Sequence, residues 1–241
     1  MNLNLYIFIT YYLMIPISII GYGLIFFSLN KKLKISSNYG YAGLTGVLIL
    51  CLYSYISSFF YEHGLKHNLI VILLGFFFFI YFNLKKIGQN QIYLSFFLLI
   101  YFIGILMSKM HDDFPYYHFQ YSYYLTQMPS TIGIGNFNLG LRTQSSIFYL
   151  NSLFYLPITK YFMFHMSAFV IFLFSNMILL FKIIKSNLDK NFDYITIYYL
   201  LSFIFVNIFF YRISEHGTDR SAQILILILI GEILSFVNLK F

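Results

Sequence analysis

Charge is what this chain has least of. Only 10% of its 241 residues are Asp, Glu, Lys or Arg, and 60% are hydrophobic; a soluble domain would carry roughly a quarter charged. There is one cysteine, Cys51, inside an apolar run. A single thiol excludes an internal disulfide framework and a cysteine-based zinc site. Four prolines scattered over the chain exclude a proline-rich linker. Tryptophan is absent, so the belt that anchors a membrane protein at the water boundary has to come from the 24 tyrosines. The start of the chain lacks a basic leader and a small-residue cleavage site, which excludes a cleaved signal peptide and leaves a retained span.

Long apolar runs fill the space these absences leave. Several exceed the roughly 18 residues that mark a bilayer crossing, and the mean hydropathy is +0.76. We read an all-α, polytopic transmembrane bundle in a single domain, residues 1–241. Its seven spans are expected at about 3–29, 41–61, 68–84, 91–107, 161–181, 194–211 and 222–239. Each has to be helical, because hydrocarbon offers an unpaired backbone amide no partner.

The charges that exist are unevenly placed. The segments 30–37, 84–90 and 182–193 and the C-terminal Lys240 hold nine lysines and no arginine. The positive-inside rule makes them cytoplasmic and puts the N-terminus outside and the C-terminus in the cytoplasm. The formal charge of +7 would suggest nucleic acid in a soluble protein; here span orientation accounts for it, and no nucleic-acid partner is expected. All three arginines, Arg142, Arg212 and Arg220, fall in the opposite segments 62–67, 108–160 and 212–223. So do His63, His67, His111, His118 and His216, and five of the eight acids: Glu62, Asp112, Asp113, Glu215 and Asp219. Orientation alone explains the lysines, but not why Arg and His avoid their side.

Residues 108–160 form a long external segment. Pro115 is expected to end or kink a helix arriving from the fourth span. The stretch 129–145, PSTIGIGNFNLGLRTQS, reads as an irregular loop; its glycine spacing does not fit a dinucleotide fingerprint. Residues 146–158 are too short to span, and read as an amphipathic interfacial helix or a re-entrant element ended by Pro157. Within SKMHDDFPYYHFQ, Asp112 and Asp113 are adjacent carboxylates. At roughly 6 Å and an effective dielectric near 20 they repel by about 2–3 kcal/mol, enough to raise one pKa by roughly two units. Such a pair supplies an ionised base together with either a proton-holding acid or ligands for a divalent cation. His111 and His118 flank it and titrate near neutrality. The arginines offer planar forks for phosphate oxygens. In RISEHGTDRSAQ the simpler reading is local: Thr218 or Asp219 caps the last span and Glu215 pairs with Arg212 or Arg220. Glu232, within the last span, is an expensive placement, with snorkelling to the cytoplasmic end as its rival; His165 reads as a packing residue.

The stretch DDFPYYH on the external side of a span, followed later by RISEHGTDRSAQ, resembles the GT-C class of integral-membrane glycosyltransferases, and within it bacterial members with an Asp followed by a Tyr-His step. The two motifs cover about a tenth of the chain. Here the acidic loop follows the fourth span, where many members carry it after the first, and seven spans are fewer than usual. The chain therefore also fits the N-terminal part of a longer protein. The resemblance implies transfer of a sugar from a polyprenyl-phosphate donor to an envelope glycan or lipid acceptor at the external face of a bacterial cell membrane. On this reading Asp112 or Asp113 is the catalytic base, with His118 beside it, and Mg or Mn is bound, if at all, by Asp112 and Asp113. Arg142, Arg212, Arg220, His111, Glu215 and Asp219 are the candidates for substrate and phosphate binding. Two other classes remain: a transporter or flippase for a lipid-linked or anionic substrate, and a non-catalytic membrane subunit or truncated remnant. A transporter needs polar groups near the bilayer midplane, and the spans have few.

Overall fold

Nine α-helices appear in the computed structural model, which describes residues 3–30, 38–83, 88–106, 112–188, 193–210 and 218–238. They are α1 (Leu3–Leu29), α2 (Tyr39–Ser57), α3 (Leu65–Asn83), α4 (Gln89–Leu106), α5 (Phe119–Gln127), α6 (Ser146–Leu153), α7 (Met166–Leu188), α8 (Tyr194–Phe209) and α9 (Asp219–Asn238). Six have the length and apolarity to cross a membrane: α1, α2, α3, α4, α7 with its preceding turn, and α9. The expected sixth span appears as α8, apolar but 16 residues long.

α7 is the axis of the bundle. From Phe169 to Leu179 every side chain is buried, the condition for a helix that is apolar all round. α2, α8 and α9 pack along it, with α4 and α6 making smaller contacts. α1 is wedged between α2 and α3 at small residues. A Cβ on Gly46 would overlap the Ile19 carbonyl, and one on Gly23 the Ala42 carbonyl. Close backbone approach of this kind holds helices together where lipid removes the hydrophobic drive between them. Outward faces stay apolar, as in Leu99, Ile103, Leu201 and Ile226. Exposure on that scale marks a lipid-facing surface.

Polar contacts among the described residues gather at two ends of the bundle. At one end the 58–64 turn meets the segment 112–160: His63 N donates to Leu125 O at 2.9 Å, and Ser130 N to Ser58 O at 2.7 Å. The start of α9 joins them in a shared groove lined by Thr218, Asp219 and Gln144. At the other end Tyr39 hydrogen-bonds Asn83, Gln91 reaches Asn83 at 3.0 Å, Ser186 bonds Thr196, and Lys182 pairs with Glu232.

The segment 112–160 differs from expectation in two places. Residues 146–153 are not an amphipathic surface helix: Ile147 through Leu153 are all buried, against α2, α5 and α7. The chain then turns tightly at 156–160, where Ile158 and Lys160 take positive φ of 70° and 47°. Pro115, instead of ending a helix, opens one: it sits in the first positions of a π-turn, Phe114–His118, that runs on into α5. The missing N–H costs nothing there.

Candidate functional site

The π-turn fixes the first acidic group. Asp113 is the residue before it, and its carbonyl accepts from Tyr116 N at 3.1 Å and Tyr117 N at 3.2 Å. The Tyr117 hydroxyl turns back to Asp113 Oδ2 at 3.4 Å. Burial raises the Tyr117 hydroxyl pKa, and the negative charges of Asp113 and Asp219 raise it further. Asp112 is exposed on the outside of the turn. His118, on the opposite side, is only 2% exposed, packed edge-on to Tyr117 at 4.4 Å and against Phe148 at 5.0 Å. It is part of the aromatic core of the segment with Tyr121, Leu125 and Tyr149.

Arg142 comes from the loop that follows α5. Its stem crosses Gly135, where a Cβ would lie 2.7 Å from Arg142 Cγ, and its Nε donates to Gly135 O at 2.9 Å. The loop is seated on the π-turn through Gly140, whose Cβ would stand 3.0 Å from that of Tyr117. Arg142 thus lines a polar basin of about 490 Å³ between Tyr55 of α2, Phe59 in the turn after it, and residues 130–136.

The basin opens beside a second, larger space. A groove of about 680 Å³ runs down α2 past Tyr55, Leu52, Leu48 and Leu44, with Ala222 and Leu225 of α9 opposite. The α2 positions recur every three or four residues, so they form one helical stripe. The mouth is polar, made by Asp219, Thr218, Gln144 and Ser145, and Tyr55, Gln144 and Tyr149 are common to groove and basin. Asp219 lies in the first turn of α9, where a carboxylate suits the positive end of the helix dipole. Arg220 beside it is half-buried.

The structure therefore joins Asp113 to Tyr117, seats the loop that carries Arg142 on their turn through Gly140, and places Asp219 at the mouth of the groove that adjoins the basin lined by Arg142. It keeps Asp112 at the surface and His118 in the core. Arg212, Glu215 and His111 lie outside the described residues. Among the described residues no three His, Cys, Asp or Glu side chains gather to hold a metal ion; the Asp112–Asp113 pair makes no cation shell with a described neighbour.

One cluster escaped sequence reading. His63 is fully buried, its Nε2 2.9 Å from Ser57 Oγ and its Nδ1 2.6 Å from Ser152 Oγ. The His67 ring stacks on it at 5.2 Å and also reaches Tyr53 at 2.7 Å and Asn68 at 2.9 Å. Asn68 Nδ2 lies within 2.7 Å of both the His63 and Ser152 carbonyls. This network latches the α2–α3 turn to α6. The signal was the pair of histidines in EHGLKH, but their partner Ser152 is 89 residues from His63.

A family model described as a domain of unknown function (DUF8201) matches residues 5–240, from α1 to α9. The chain belongs to that family. No curated protein matches it, and no solved structure does.

Proposed function

We propose that this DUF8201 member is a membrane glycosyltransferase of GT-C-like type, moving a sugar from a lipid-linked phosphate donor to an envelope glycan or lipid acceptor. The observation that carries the reading is the apolar groove on α2, with Asp219 at its polar mouth, which shares Tyr55, Gln144 and Tyr149 with the basin that Arg142 lines. A site for a lipid-linked phosphate needs apolar length, a cation at its head and a base beyond it. The groove supplies the first and Arg142 the second, and the loop that carries Arg142 rests through Gly140 on the turn that holds Asp113 and Tyr117.

In the reaction, the acceptor hydroxyl attacks the anomeric carbon and its proton passes to the Asp113 carboxylate. The bond from that carbon to the phosphate oxygen breaks, and the departing lipid phosphate is held by the terminal nitrogens of Arg142. A phosphate anion leaves without a strong acid, so buried His118 need not act in proton transfer and instead positions Tyr117. No step is assigned to a divalent cation.

In this proposal α8 makes a seventh crossing. Its 16 residues extend about 24 Å, short of a core of about 30 Å, and the flanking chain completes the span. The acid-bearing end then faces outward from a bacterial inner membrane, with the N-terminus outside and the C-terminus in the cytoplasm, as lysine placement requires. The transporter reading is less well supported. Larger polar side chains within the spans are taken up by one another, as in Tyr101 to Asn207 at 2.8 Å and Asn207 to Asn176 at 2.7 Å.

The test uses the purified full chain with a panel of polyprenyl-phosphate sugars and membrane-extract acceptors. Sugar transfer that falls at least about a hundredfold in Asp113→Asn is the expected result. Transfer undiminished in Asp113→Asn, Asp112→Asn and the double variant removes the proposed base. Vesicle uptake of the lipid-linked sugar without covalent change replaces the enzyme with a transporter.

A further inference from the structure

The loop 129–145 displays large apolar side chains outward. Ile132, Phe137 and Leu139 are 93%, 90% and 73% exposed, in a segment whose backbone is held at many points. Tyr124 OH donates to Pro129 O at 2.9 Å and accepts from Thr131 N at 3.1 Å. Asn138 reaches Gln120 at 3.1 Å and accepts from Gly140 N at 2.9 Å. Gly133 takes φ 86°, a left-handed turn open to glycine, and Arg142 ties the loop across at Gly135. The exposure is built into the turn and is not the fraying of a slack chain.

Position says what covers it. Ser130 N bonds the carbonyl of Ser58, the residue that caps α2. The loop therefore starts at the level where α2 leaves the apolar slab. The last turns of α2 and the turn after it are themselves apolar and exposed, at Leu52, Ile56 and Phe60, so the displayed side chains continue that lipid-facing surface. Residues 129–145 contain no Asp or Glu, and their one charge is Arg142. Apolar side chains beside an uncompensated guanidinium suit one surface, the boundary layer of a bilayer, with acyl chains beneath and phosphates above.

We infer that loop 129–145 is a lipid-docking element that inserts Ile132, Phe137 and Leu139 into the leaflet beside α2 and lays Arg142 at phosphate level. The inference does not depend on glycosyl transfer and would hold for any activity at this end of the bundle.

The absence of tryptophan supplies a clean test. Phe137→Trp gives the full chain a single indole, and Leu139→Trp gives a second, independent placement should the first fail to fold. Each is reconstituted in vesicles of phosphatidylcholine and phosphatidylglycerol, with or without bromine on the acyl chains. Blue-shifted emission, quenched at least about twofold by brominated lipid and little by aqueous iodide, is the expected result. Emission typical of water, quenched by iodide and indifferent to brominated lipid, overturns the inference. So does emission shielded from both quenchers that changes on dilution of protein into excess lipid, which would put a second copy of the chain on the loop.

Discussion

Lys182 on α7 and Glu232 on α9 form an ion pair at 2.9 Å within the bundle. Tyr41 of α2 donates to the same carboxylate at 2.6 Å and Tyr199 of α8 at 3.3 Å. The Lys182 ammonium also lies over both phenol rings, at 5.9 and 5.4 Å. Four helices thus meet at one carboxylate, and the snorkelling that Glu232 suggested in the sequence is replaced by capture. Removing either partner leaves the other charged in a poorly hydrated place. Lys182→Met and Glu232→Leu are each expected to lose about 2 kcal/mol, between the values for exposed and fully buried pairs. The exchange Lys182→Glu with Glu232→Lys should recover part of it. Thermal unfolding of the purified protein in detergent reads this, and unchanged midpoints in the single variants would mean that the pair is solvated and idle.

The crossing of α1 with α2 gives a second expectation. At Gly46 an added methyl meets the Ile19 carbonyl, and at Gly23 the Ala42 carbonyl; neither obstacle is the flexible end of a side chain. Gly46→Ala and Gly23→Ala should each cost about 1–3 kcal/mol as the helices are forced apart. Gly64, which has open space around it beyond the Glu62 side chain, should accept Ala with little change. The three midpoints measured side by side decide whether close approach or general helix propensity is responsible.

Span positions and the two-ended charge pattern were legible in the sequence because each follows from a local rule, apolar length for the spans and lysine bias for the ends. Five of the seven expected spans match a helix to within a few residues, and a sixth begins at the expected 161 once the turn before α7 is included; α8 begins at the expected 194 and differs only in being short for a crossing. What was not legible depended on pairing across the chain. Nothing in RISEHGTDRSAQ says that Asp219 opens onto the α2 groove, and nothing near Glu232 names Lys182. The stretch SIFYLNSLFYL contains enough Ser, Asn and Tyr to look half-exposed. Those polar atoms are buried instead, as with Ser152 on His63 and Tyr149 OH on Tyr121 OH at 2.8 Å. Tyr117 escaped notice because eight tyrosines crowd residues 116–161, and only the fold says which one turns back to a carboxylate.

Sidedness has a direct chemical readout. Asn136 and Lys185 are exposed at opposite ends of the bundle. With Cys51 replaced by Ala to remove the native thiol, Asn136→Cys should react with an impermeant maleimide on intact cells and Lys185→Cys only after lysis. The reverse pattern would turn the acid-bearing end to the cytoplasm and remove the external acceptors from the proposed reaction. Ser122, though it lies in the same segment, is fully buried and would report folding instead of sidedness.

Acid should loosen the latch between the α2–α3 turn and α6. Burial, and then the nearby His67 ring, hold the His63 imidazole down to about 3 from an ordinary value of 6.5. The groups facing it are His67, Ser57 and Ser152; none of them is an acid that would welcome a proton. The folded chain therefore keeps His63 neutral where the unfolded chain is already protonated. The unfolded state binds more protons between about pH 6.5 and about pH 3, so stability falls as pH drops through that window, by up to about 1.4 kcal/mol per unit, and this group contributes no slope above it. His63→Gln retains a hydrogen-bonding side chain and has no imidazole to titrate. Its unfolding midpoint should start lower than wild type at neutral pH and decline less steeply on acidification. Parallel curves for the two proteins between about pH 4 and pH 8 would assign the acid sensitivity elsewhere, leaving the latch as an uncharged packing contact.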